Sequence, residues 1–177
     1  MTVKKLVTMK AEKTIYKGTY LKLTERVIGD QVFETAHLRG AVIVFAKNSD
    51  GKFLFIKEQR PHENQKVRLK PVTGFIDDGD DWLTTAKKEL REEACLIAQN
   101  LELIRHIPVS GSIVTDKYFV IATDLTPDPE PISNPDGDVI EELIYLDLEQ
   151  AIAMTITNEM PLVFDSLGLF LLKELKL

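Results

Sequence analysis

The segment Thr73–Ile97 restricts this chain more than any other. It opens with two glycines and four aspartates around the apolar pair Phe75-Ile76, then turns into a regular apolar pattern. So polar a stretch cannot enter a core, and the spacing predicts a loop over Thr73–Asp81. After it, Leu83, Ala86, Leu90, Ala94 and Ile97 recur at intervals of three and four, the stripe of a helix lying on a sheet. Asp80 or Asp81 can accept the free N–H groups of the first turn, where a negative charge also suits the helix dipole. Beside the stripe, Glu89, Glu92 and Glu93 fall within roughly 100° of arc at about 100° per residue, so one side of the helix carries all three carboxylates. Such crowded carboxylates suit a hard cation such as Mg²⁺ or Mn²⁺. A solvated face with Lys88 paired to Glu92 accounts for the helix taken alone.

The flanking pattern supplies the sheet. Thr14–Val27 and Gln31–Leu38 mix β-branched and aromatic residues with polar ones around the Gly29-Asp30 turn. Ala41–Ala46 is continuously apolar, as in a strand buried on both faces, and Asn48–Gly51 turns it back into Lys52–Lys57. Further strands are expected at Leu101–Pro108, Tyr118–Thr123 and Glu142–Leu146, with Pro61–Lys66 and Pro127–Asp138 as loops and Leu148–Met154 and Pro161–Leu177 as helices. Strands, a helix, more strands, then helices make an α+β domain with a mixed sheet. The 177 residues suit one domain, divided here into N-terminal strands over 1–38 and a main body over 39–177.

Composition narrows the function classes. A net charge of -6 disfavours nucleic acid as a partner, because phosphate contacts rely on Lys and Arg. Leu162–Leu172 is the most apolar stretch, but it contains Asp165 and is too short to span a bilayer, so no membrane is expected. Cys95 has no second cysteine to pair with, and Met1–Lys10 lacks the apolar run of a signal peptide. A cytoplasmic location is the expectation, with Cys95 a small buried hydrophobe.

The order of residues through this region resembles the Nudix box, G-x5-E-x7-R-E-U-x-E-E-x-G-U with U aliphatic. Gly74, Glu89, Leu90, Glu92, Glu93 and Leu96 fill their positions without a gap. The likeness extends over about residues 40–155. It includes Glu58-Gln59-Arg60, similar to an E-Q-x-R element of ADP-ribose pyrophosphatases without its intervening residue, and Leu69–Asp80 leading into the box. Asp80, Lys88 and Cys95 depart from the box, and Lys70 stands where those pyrophosphatases often carry glutamate.

The resemblance implies a Nudix fold, a mixed β-sheet between helices. It also implies hydrolysis of the diphosphate linkage in a nucleoside diphosphate derivative, ADP-ribose or a nucleotide-sugar, with Mg²⁺ or alternatively Mn²⁺. By the same likeness Glu89, Glu92 and Glu93 hold metal together with the backbone of Thr73 or Gly74. Arg60, Arg68, Lys70 and Gly74 then face substrate, and Asp138 or Glu141 supplies a catalytic base. The likeness further implies a homodimer through the N-terminal strands, and the apolar residues around most of Pro161–Leu177 offer a second candidate surface. The departures leave a second reading open, a nucleotide-binding module with little or no turnover.

Overall fold

The computed structural model describes residues 11–60, 67–131, 139–160 and 162–177, and the chain divides into two compact units. Asp138 and the expected Pro61–Lys66 loop lie outside the described residues.

The first unit contains residues 1–40 and 107–116. Its strands β1 (Lys13–Lys17), β2 (Leu21–Ile28) and β3 (Gln31–Leu38) form an antiparallel meander. Ile28 pairs with Gln31 across a two-residue loop. Gly29 takes φ 63° there, a left-handed conformation that costs glycine no steric clash. Thr24 is buried, with Oγ1 2.9 Å from His37 Nε2. Ala36 and His37 align in parallel with Ile113 and Val114.

The second unit, residues 41–106 and 117–177, is built on β4 (Ala41–Ala46), every residue of which is buried. The chain returns as β5 (Phe53–Gln59) through a turn where Asn48 Oδ1 accepts from the N–H groups of Asp50 and Lys52. It continues through β6 (Val67–Lys70) and β7 (Val72–Phe75) into helix α1 (Trp82–Ala94). Then follow β8 (Leu96–Val109), β9 (Ile113–Pro127), β10 (Ile140–Leu146), α2 (Leu148–Ile156) and α3 (Val163–Leu175). In this unit β4 lies between β9, parallel, and β7, antiparallel, while β5 pairs antiparallel with both β10 and β6. The sheet that contains β4 is mixed, as the pattern predicts, while β10, β5 and β6 form a separate antiparallel sheet.

Strand alternation distributes the core to two sides of β4. Val42, Val44 and Ala46 share a buried cluster with Ala86, Leu90 and Ala94 of α1. Phe45 lies against Gly168 of α3, so helices cover both faces of this strand. Each large apolar side chain so buried contributes about 1.5–3 kcal/mol.

Several expectations need correction. Thr73–Phe75, read as the start of a loop, belongs to a strand, because the backbone edge of β4 gives it a ladder of partners that its own sequence does not advertise. Gly74–Ile97 is therefore strand, loop, helix and strand in succession. Helix α1 stops at Ala94, and Ile97 belongs to β8. Cys95, expected to be buried, is exposed at the C-cap with φ 54° and ψ 39°. A non-glycine residue in that conformation costs about 1–2 kcal/mol, accepted here because Cys95 N–H closes the helix on Arg91 and Leu90 carbonyls. No described helix is long and apolar enough to cross a membrane.

A Cβ added at Gly168 would overlap the Phe45 ring and approach Phe119 Cδ1 to 3.0 Å. Gly168→Ala is expected to destabilise the protein by about 1–3 kcal/mol through overpacking. The check is the midpoint of urea unfolding; an unshifted midpoint would show that α3 moves aside freely.

Candidate active site

Local structure brings the carboxylates to the sheet. Asp81 caps α1, its side chain accepting from Thr84 N–H at 2.8 Å. With Leu90 and Ala94 in the core, the adjacent stripe of Glu89 and Glu93 faces β7. Gly74 is needed there for want of a side chain: a Cβ at that position would overlap the Glu89 carboxyl.

Glu93 is buried and fully engaged. Its Oε2 accepts from Thr73 N–H at 3.0 Å and its Oε1 accepts from Lys70 Nζ at 2.8 Å. Lys70, 2% exposed, also donates to Thr73 Oγ1 at 2.8 Å and lies 3.1 Å from Glu58 Oε2. Arg60 Nη2 meets the same Glu58 oxygen at 3.0 Å. Burial works against the Lys70 ammonium, but Glu93 and Glu58 outweigh it and hold its pKa above the usual value.

Glu89 has the opposite balance. Burial, reinforced by repulsion from Glu93 and Glu92, pushes its carboxyl up to about 8. The group therefore retains a proton near neutrality, and a cation beside it would relieve both causes. The donor set thus fits a hard cation at Glu89 and Glu92, the latter half-buried on the same helix. It does not fit one bound equally by all three glutamates, since Glu93 has both oxygens turned onto Lys70 and Thr73. Among the described residues, no three His, Cys, Asp or Glu side chains converge on one such point.

The structure therefore brings together Thr73, Gly74, Glu89 and Glu93, with Lys70 beneath them instead of on an open surface. Arg60 is partly exposed, its side chain retaining 24% of its area. Arg68 is half-buried and near enough to Asp165 to draw on its charge. Glu141 is exposed at a bulge between β10 and β5 and accepts from Gln59 Nε2 at 2.8 Å. Lys88 reaches Asp77 Oδ2 at 3.4 Å, so it ties the helix to the preceding loop.

Two acidic residues were missed by sequence reasoning. Glu58 was noted only as part of a motif, and its burial against Lys70 needs the β5–β6 pairing. Asp165 was read merely as an interruption of an apolar run. It is 2% exposed, and burial raises its carboxyl to about 7, although Lys70, Arg68 and Lys117 pull it down.

A family model described as NUDIX domain matches residues 37–166 of the chain. A solved structure titled "Crystal structure of ADP compounds hydrolase" superposes with a TM-score of 0.78 at 18% identity, covering 98% of this chain and 96% of that one. At that identity the likeness concerns the fold. No curated protein matches.

Asp165 makes stability depend on pH. Its carboxyl is raised from 3.8 to about 7, so between those values the folded chain keeps a proton that the unfolded chain releases. The stabilisation is complete below about 3.8 and is lost as pH rises through about 7. Asp165→Asn, which cannot ionise, should raise Tm relative to wild type at pH 8 and change it little at pH 4. Thermal melts across that range test this; an equal shift at both ends would contradict it.

Proposed function

This chain belongs to the Nudix family of pyrophosphohydrolases, and we propose that it cleaves the diphosphate linkage of a nucleoside diphosphate derivative with the help of Mg²⁺ or Mn²⁺. The observation that carries the proposal is Glu89, packed on Gly74 and held protonated near neutrality by burial and by Glu93 and Glu92. Lys70 and Lys88 draw that carboxyl down but do not outweigh its burial and its acidic neighbours, which leaves room for a further cation beside it.

A divalent ion, when bound, neutralises phosphate oxygens and lowers the pKa of a bound water. Glu89 and Glu92 would hold it, beside the side-chain-free approach at Gly74. Arg60, fixed at one end by Glu58, can offer its outer N–H groups to the diphosphate as charge-assisted donors. Arg68 is a second candidate for that contact. Asp138 and Glu141 are the candidate bases, and the bulge at Glu141 is the kind of irregularity that re-aims a side chain. The ADP compounds named for the structural neighbour support ADP-ribose or a related adenosine diphosphate derivative as substrate.

The engagement of Glu93 by Lys70 favours a second reading, a binding module with little turnover. A panel of nucleoside diphosphate derivatives assayed with Mg²⁺ and Mn²⁺ separates the two. The enzyme should release a nucleoside monophosphate, and Glu89→Gln should reduce turnover by about 10²–10³-fold. Tight binding of a derivative without product would support the module instead.

We also propose a homodimer through the N-terminal strands. All of β1, including Tyr16, is exposed, as are Tyr20 and Phe33, a concentration of apolar surface beside a strand that pairs, among the described residues, on one side only. Light scattering at micromolar concentration should give twice the 20.0 kDa of the chain. A mass of a single chain would refute this assembly.

A further inference from the structure

Lys70 is surrounded as a metal ion would be. Its ammonium nitrogen lies among three oxygens: it donates hydrogen bonds to Glu93 Oε1 and Thr73 Oγ1, each at 2.8 Å, and forms an ion pair with Glu58 Oε2 at 3.1 Å. The ammonium is a compact charge on a buried stem, and these oxygens come from β5, β7 and α1, so no local turn forces them together. Charge balances as well. Glu58 and Glu93 carry two negative charges, which Lys70 and Arg60 offset, so this inner group has little attraction left for a further cation.

We infer that Lys70 is a resident cation, filling an inner oxygen site of Glu58, Thr73 and Glu93 and confining divalent ions to Glu89 and Glu92. The inference rests on the metal-dependent reading above and adds to it: Lys70 is a positioning residue that sets how many divalent ions the chain holds. Removing the ammonium while keeping the volume would leave two buried carboxylates and a hydroxyl, a donor set suited to Mn²⁺.

Mn²⁺ titration of the purified chain, followed by the electron paramagnetic resonance signal of the free ion, tests this without turnover. Wild type should show saturable Mn²⁺ binding that Glu89→Gln weakens by at least about tenfold, as expected for losing a charged ligand. Lys70→Met should gain an additional Mn²⁺ site, and Lys70→Arg, which keeps the charge, should return the count to that of wild type. Lys70→Met binding the wild-type number with wild-type affinity would overturn the inference while leaving the metal reading intact. Binding that is absent, or indifferent to Glu89→Gln, would overturn both. Should Lys70→Met fail to fold, Glu93→Gln decides: with Glu93 already held by Lys70, this variant should keep the wild-type Mn²⁺ count, and loss of a site would refute the inference.

Discussion

The contact of Lys70 with Glu93 and Glu58 is the interaction around which the second unit is organised. Through it β5, β6 and α1 are tied at one buried point, and Thr73 brings in β7. Removing charge from water is costly, so such a group is weak evidence of added stability. Its effect is specificity of arrangement. With one partner removed, an unpaired buried charge remains, at a cost of about 3–5 kcal/mol, so a register that separates Lys70 from either glutamate is heavily penalised. The pairing of Ile56 with Lys70 and of Glu58 with Arg68 is the register that satisfies it.

From that point the chemistry of the neighbouring carboxylates follows. Glu93 is held by donors on both oxygens, whereas Glu89, four residues earlier on the same helix, lies against Gly74 and feels Glu93 and Glu92 as repulsion. Like residues on one helix face thus acquire different roles from different surroundings. The departures from the Nudix box acquire meaning in the same way. Lys88 holds Asp77 at the loop, and Cys95 takes the left-handed cap conformation at some steric cost.

Much was legible from pattern alone. Ala41–Ala46 reads as a buried strand because it has no polar residue, and α1 reads as a helix because its apolar residues recur at the right interval. The spacing from Gly74 to Glu93 identifies the family because the motif counts residues, and a count survives any ignorance of the fold. The strand at Thr73–Phe75 was not legible, since its strand character comes from the neighbouring edge of β4 and not from its own composition. Lys70 was not legible either. As a departure from the family it pointed to substrate, whereas its position between Glu58 and Glu93 depends on partners 12 residues before and 23 residues after it.

The sequence by itself therefore determined the class of fold, the acidic helix and its glycine, because each depends on spacing within a continuous segment. The tertiary structure alone decided which carboxylate keeps its proton, which one is neutralised from within, and that Asp165 is buried. Those outcomes depend on distance and desolvation between groups far apart in the chain, and both are set only when β5, β6, β7 and the helices have packed.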